Sequence, residues 1–176
     1  RIREKMNLDV EVSKLRLLKS SFQSQKYSLE HDLLRYFPKE IAETKARIVS
    51  LESDIQTRDA HPAPADSFAG IELDGVHYTE RVAAGEALLK ILPTVQDMEP
   101  VHIGSFRGFD VEVSLSEFGK YSLTLNGAAE HHVELGSDAL GNILRVENAL
   151  TGLDRQLEKA YGRLEDLECQ TENARI

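Results

Sequence analysis

The chain has 176 residues, of which 41% are hydrophobic and 29% charged, with a net charge of -9. That is enough for one domain with an appendage or for two small units, and it is too apolar for a disordered chain. No apolar run approaches the roughly 20 residues of a membrane span, and a single cysteine, Cys169, excludes an intrachain disulfide and suits a reducing cytosol, so a cytoplasmic protein is expected.

Charge is spread unevenly. The net is +2 over residues 1–61, -8 over 62–136 and -3 over 137–176. The acidic middle is a poor candidate for gripping a naked phosphate backbone. The chain starts at Arg1, already charged and helical in pattern, and we expect a fragment of a longer protein.

Residues 1–36 contain neither Gly nor Pro and predict one long helix. Leu8, Leu15, Phe22, Leu29 and Tyr36 recur every seven residues. Val12 and Leu33 share the alternate seam position with Lys5, Lys19 and Lys26. A seam that is half lysine is weaker than an apolar one, and it sets register. Phe37-Pro38 predicts a tight corner, because Pro disfavours helix at the residue before it and is welcome in a first turn. A second helix is expected over about 38–59, with Ile41, Ile48 and Ile55 again seven apart, folding back on the first as an antiparallel hairpin.

His61-Pro62-Ala63-Pro64-Ala65-Asp66-Ser67 predicts a stiff linker. From Phe68 the period changes to two. Ile71–Leu73 and Val76–Tyr78 flank Asp74-Gly75, the favoured type I′ hairpin dipeptide. Thr79 is the expected cap of a helix over about 80–92, whose buried face is Val82, Leu88, Leu89 and Leu92. Gly85 inside it is expected to mark close packing on a sheet. Val101–Phe106 and Phe109–Leu115 predict strands around Arg107-Gly108, a candidate tight turn. Tyr121, Leu123 and Leu125, then His131, Val133 and Leu135, continue the alternation on either side of Asn126-Gly127. An antiparallel meander with one covering helix and an acidic wet face is the economical arrangement.

The last quarter reads by sevens. Ile143, Val146, Leu150, Leu153, Leu157, Ala160, Leu164 and Leu167 step alternately by three and four, an unbroken seam that demands a partner helix. Asn142 is the expected N-cap, with Ser137 a rival. The fold class expected is therefore α+β. An antiparallel helical, coiled-coil stalk from the N- and C-terminal helices carries an inserted small antiparallel sheet covered by one helix. The expected divisions are 1–60 for the helical hairpin, 61–67 for the linker, 68–136 for the sheet module and 137–176 for the C-terminal stalk helix.

Motifs for chemistry are missing. Six histidines and one cysteine show neither C-x-x-C nor H-E-x-x-H spacing, so no metal ligands and no metal cofactor are assigned. Gly104–Gly108 matches neither a phosphate-cradling loop nor a dinucleotide fingerprint, and no cofactor is assigned there. The serines lack a G-x-S-x-G context, and Glu165, Asp166 and Glu168 fit the solvated side of a helix. No catalytic residue is assigned. The basic N-terminal stretch has two readings. Lys14, Arg16, Lys19 and Lys26, with Arg107, are candidate nucleic-acid contacts. Alternatively the basic helix pairs with the acidic C-terminal helix, and that reading is preferred.

Longer strings carry a resemblance. Phe68-Ala-Gly-Ile-Glu-Leu-Asp-Gly-Val-His-Tyr-Thr79, Ala84-Gly85-Glu86-Ala87-Leu88-Leu89, Ile103-Gly-Ser-Phe-Arg-Gly-Phe109 and Leu135-Gly-Ser-Asp-Ala-Leu-Gly-Asn-Ile143 are the main ones. With Leu33-Leu34-Arg35-Tyr36-Phe37-Pro38, they resemble the C-terminal region of very large helicase–methyltransferase proteins of bacterial conjugative elements and phages. Those proteins join a Swi/Snf-like ATP-dependent helicase to an adenine-specific DNA methyltransferase. No Walker A, helicase acidic box or methyltransferase motif occurs in this chain, so no catalytic residue carries over. The resemblance implies a non-catalytic accessory or scaffolding domain. Its implied partner is the remainder of the parent polypeptide, while the basic N-terminal helix offers DNA as an alternative and the terminal seam offers a second copy in a homodimer through the helices. A membrane is not among them.

Overall fold

The structure, a computed structural model, describes residues 2–65 and 67–174, with side chains described from residue 10 onward except that of Asp32. The chain divides into two compact units, Arg1–Lys45 with Gly162–Ile176, and Ala46–Tyr161. The class is α+β. This division does not follow the Pro-rich segment 61–67.

Helix α1 (Ile2–His31) passes into a π-helical turn, Asp32–Tyr36, and then directly into α2 (Phe37–Ala60). The corner expected at Phe37-Pro38 is not formed. Pro38 lacks the N–H that would bond the carbonyl four residues earlier. A π-turn, which closes bonds five residues apart, lets the ladder slip by one position instead of ending. Phe37 is buried at this junction with Tyr36 edge-on to it, ring centroids 5.4 Å apart. Nor does α1 fold back on α2. Every described side chain of α1, from Val10 to His31, is exposed.

Strands β1 (Ile71–Leu73), β2 (Val76–Tyr78), β3 (Val101–Phe106), β4 (Phe109–Leu115), β5 (Tyr121–Asn126) and β6 (Glu130–Glu134) form one sheet in the order β2-β1-β3-β4-β5-β6, antiparallel throughout. Asp74 and Gly75 both have positive φ (52° and 80°), as a type I′ turn requires. Arg107 and Gly108 repeat the pattern (47° and 84°), with arginine where Asn or Asp is ordinarily favoured. Gly104 sits where β1 crosses closest to β3. A Cβ there would lie 1.8 Å from the Glu72 carbonyl oxygen. The register of β3 on β4 shifts between His102 and Gly104, a bulge beside that close approach.

Alternation decides which side of the sheet is dry. Phe106, Phe109, Val111, Val113, Leu123, Leu125 and Val133 are buried, while Glu72, Asp110, Glu130 and Glu134 are exposed. Two helices pack on the dry side, not the one expected. Helix α3 (Arg81–Ile91) contributes Ala84 and Leu88. Helix α4 (Ala139–Thr151) contributes Ile143, Val146 and Leu150. Each fully buried aliphatic side chain is worth about 1.5–3 kcal/mol relative to exposure.

Several local expectations change. Helix α3 starts after Glu80, with no side-chain cap from Thr79, and Val82 is exposed. Gly85 does mark close packing, but on a helix. A Cβ there would lie 2.2 Å from the carbonyl oxygen of Ala139, at the start of α4. Asp138, not Asn142, is the N-cap of α4. Asn142 lies inside the helix and is fully buried, because its side chain accepts from the Gly136 N–H (2.8 Å) and donates to the Gly136 carbonyl (3.0 Å), stitching the loop after β6 to α4.

Gly152 interrupts the last helix for one residue, and α5 runs Leu153–Ala174. Of the seam read from the sequence, Ile143, Val146, Leu150, Leu153, Ala160 and Leu167 are buried, and Leu157 and Leu164 half-buried. The hydrogen-bonding partners of α5 lie on α2. Within 46–161, the Arg58 guanidinium donates to both carboxylate oxygens of Asp154 (2.9 and 3.3 Å), Arg47 donates to Gln156 (3.1 Å) and the Tyr161 hydroxyl donates to Glu52. Within the other unit, Arg163 donates to Glu40 (3.3 Å). Within each unit, these bonds join α5 to the second helix of the expected hairpin. Among the described residues no helix is long and apolar enough to cross a membrane.

Candidate functional site

The most unusual surface is α1 itself. Its 30 residues span about 45 Å at 1.5 Å per residue. It has no Gly or Pro, so nothing local breaks it. Val10, Val12, Leu15, Leu17, Leu18, Phe22, Tyr27 and Leu29 are all exposed, Phe22 at 69%. Apolar residues scattered singly need no explanation, but this many on one helix make an extended exposed apolar surface. Leu15, Phe22 and Leu29 form one line of it and Val12, Lys19 and Lys26 the adjacent line, as the spacing predicts. Lys5 and Leu8 of the same lines, with Arg1 and Arg3, have side chains outside the described residues.

Lys14, Arg16, Lys19 and Lys26 are likewise exposed on α1. None takes part in the ion pairs among the described residues, and the acids of α5 do not pair with them. Arg107, the fifth candidate, belongs to the other unit. Its Nε donates to the His61 carbonyl (2.8 Å) and its Nη2 to the Arg58 carbonyl (3.2 Å). These carbonyls end α2 and begin the Pro-rich segment, so the guanidinium caps the negative end of a helix dipole. Burial, and then the nearby Arg58 charge, hold its pKa below the ordinary arginine value. The left-handed backbone at Arg107 is accounted for by this reach, and the fork is spent on the protein's own backbone.

An open cleft of about 380 Å³ lies beside it, lined among others by Arg81, Arg107, Glu147, Asn148 and Thr151. Its charges are tied down. Nε of Arg81 donates to both oxygens of Glu147 (3.1 and 3.0 Å), and the Arg81 guanidinium lies 5.7 Å from the Phe68 ring centre. The Thr151 hydroxyl donates to the Glu147 carbonyl at 3.1 Å, so it is not held by a base. This arrangement ties α3 to α4, and its hydroxyl is not poised for attack.

Sequence reasoning missed one polar cluster. Asp54 on α2 is 1% exposed and His131 on β6 is 6% exposed. The Asp54 carboxylate accepts from the Ala128 N–H (2.7 Å), the Ala129 N–H (3.0 Å) and His131 Nε2 (2.7 Å). His131 also packs edge-on to Phe109, ring centres 6.1 Å apart. Gly127 is required beside it, since a Cβ there would lie 2.3 Å from Asp54 Oδ1. A buried carboxylate with three donors is satisfied, and it latches α2 to the β5–β6 hairpin. The spacing of 77 residues offered no local signal. A nucleophile does not complete this pair into a triad: among the described residues, none hydrogen-bonds His131 besides Asp54.

The wet side of the sheet is acidic and holds two short-range pairs, His102 with Asp110 (3.6 Å) and His132 with Glu130 (3.7 Å). Among the described residues no group of three or more His, Cys, Asp or Glu is placed to hold a metal ion, and no buried side-chain polar atom lacks a partner. Phe118, at the tip of the β4–β5 loop, is 88% exposed. The geometry therefore offers one extended apolar and basic helix surface, and elsewhere, among the described residues, buried side-chain polar atoms that all have partners. No protein-family model matches the chain, and neither a curated protein nor a solved structure matches it.

Proposed function

We propose that the chain is a non-catalytic accessory domain, of the kind its resemblance implies in a mobile-element DNA helicase–methyltransferase, and that α1 is its docking element in the cytoplasm. The observation that carries the reading is the unbroken exposure of α1 from Val10 to His31, with its large apolar side chains uncovered. Folding gains nothing from leaving such residues in water, whereas binding a partner helix does. The sheet unit supports the same reading: among the described residues, its buried side-chain polar atoms are committed to internal ties. The reading includes a coiled-coil stalk of α2 against α5. It is supported within 46–161 by the Arg58–Asp154 and Glu52–Tyr161 bonds and by buried Leu51, Leu153 and Ala160, and within the other unit by the Glu40–Arg163 bond and buried Leu167.

The test is complementation in trans. The chain is mixed with the helicase–methyltransferase portion of such a parent protein lacking this region, and association is followed by sedimentation. Association that is lost in the double variant Leu15→Asp, Phe22→Asp, with melting unchanged, is the expected result. Association indifferent to that variant would remove α1 from the role.

A second reading, contact with DNA, is favoured by the exposure of Lys14, Arg16, Lys19 and Lys26 without ion-pair partners among the described residues. It predicts binding to duplex DNA that weakens steeply with salt and is abolished by Lys14→Glu, Arg16→Glu, Lys19→Glu. It leaves the apolar line of α1 unexplained, which is why it stands second.

A further inference from the structure

The identity of the partner follows from where the lysines lie. Val10–His31 is 22 residues, about three heptads. Leu15, Phe22 and Leu29 occupy one seam position, and Val12, Lys19 and Lys26 occupy the other. Two of the three residues at that second position are therefore cationic, and their side chains are exposed with no ion-pair partner among the described residues.

A second copy of α1 is a poor partner. In a parallel self-pair equivalent positions meet, so Lys19 faces Lys19 and Lys26 faces Lys26, like charge on like charge within the seam. In an antiparallel self-pair the two seam positions alternate across the interface. Each lysine then lies against the leucine and phenylalanine line, and by symmetry the mismatch occurs twice over. Neither arrangement places an acid in the seam opposite Lys19 or Lys26, since the acids of this span, Glu11 and Glu30, flank the seam at its two ends, and an unpaired charge at a seam is costly unless it escapes to water. Duplex DNA supplies anions but leaves Leu15, Phe22 and Leu29 uncovered. One class of partner satisfies both lines: an amphipathic helix with an apolar stripe for Leu15, Phe22 and Leu29, and Glu or Asp where it passes Lys19 and Lys26. Arg16, on the flank of the same seam, adds attraction to an acidic partner and repulsion to a basic one.

We propose that α1 is one half of a heterotypic coiled coil whose other half is an acidic amphipathic helix on a different polypeptide segment. The lysine seam excludes self-pairing and selects this partner. The inference rests on reading α1 as a docking helix, and the experiment separates the two.

The probes are two synthetic helical peptides of about four heptads with leucine at every d position. One carries Glu and the other Lys at the seam positions apposed to Lys19 and Lys26, and they are otherwise identical. Binding to the full chain is measured by anisotropy at about 0.15 M salt, with the chain's own association state followed by sedimentation equilibrium. The Glu peptide is expected to bind at least about tenfold tighter than the Lys peptide. The chain alone is expected to stay monomeric, and the variant Lys19→Glu, Lys26→Glu should reverse the preference with an unchanged circular-dichroism melt. If both peptides bind equally, and both are lost in Leu15→Asp, Phe22→Asp, α1 docks but does not select acid, and this inference falls alone. Self-association abolished by the same variant would likewise overturn it while keeping docking. If neither peptide binds at about 1 mM, or binding ignores the apolar variant, the docking reading falls with it.

Discussion

Asp54 and Phe22 are on the wrong sides of the protein for their chemistry. The aspartate is 1% exposed in the unit 46–161, and the phenylalanine is 69% exposed on α1. The contrast is informative because each is resolved differently. Asp54 is buried with three donors around it, so its burial is explained from within. Phe22 and its neighbours are left exposed by the described residues, so nothing described explains their exposure from within. One region has settled its own accounts of polarity, and the other leaves apolar side chains in water.

The sharpest way to break the comparison is to remove the latch. Asp54→Ala leaves two backbone N–H groups and His131 without their acceptor, and should cost about 3 kcal/mol in denaturant unfolding. A loss below about 1 kcal/mol would show that the latch is not what joins α2 to the hairpin. Gly85→Ala comes next. Its Cβ would meet backbone, which cannot rotate away, and overpacking of this kind costs about 2 kcal/mol. An unchanged midpoint would show that α3 and α4 are not in tight contact.

Arg107→Lys keeps the charge and loses the fork, so about 1 kcal/mol of stability should go, and DNA affinity should not change. A clear fall in DNA binding would return Arg107 to the list of nucleic-acid contacts. In α1, Leu15→Asp with Phe22→Asp should move the unfolding midpoint by less than about 0.5 kcal/mol, because neither side chain is packed. A larger loss would mean that α1 has an intrachain partner.

The smallest effect is a pH dependence. The hydrogen bond from the Arg58 guanidinium holds the Asp154 carboxyl below the ordinary value of 3.8. Its contribution is present above that unfolded value and disappears as pH falls through the lower folded value. Asp154→Asn should therefore flatten the stability profile slightly below about pH 4 and leave neutral pH unchanged in slope. A change in slope near pH 7 would implicate another group.

Strand positions were legible from period-two alternation, and Asp74-Gly75 announced its own turn, because both signals are local. The terminal seam was legible for the same reason: eight residues repeat one alternation of three and four, and six of them are buried and two half-buried. The periodicity of α1 was equally clear and pointed the wrong way, toward an intrachain hairpin, since a stripe records that a partner is needed and not where it is. Pro38 was read as a break, but a π-turn lets the backbone absorb one missing N–H.

The Asp54–His131 latch, the arginine fork on the end of α2 and the internal role of Asn142 could not be read in advance. Each joins groups brought together only when the sheet and its helices close, and no residue type carries a mark of its distant partner. Sequence by itself determined the α+β class, the strand alternation and the two lines of α1, because backbone geometry converts spacing directly into faces. Tertiary structure alone decided which faces found a partner among the described residues and left that of α1 exposed from Val10 to His31, because burial is a property of what lies opposite.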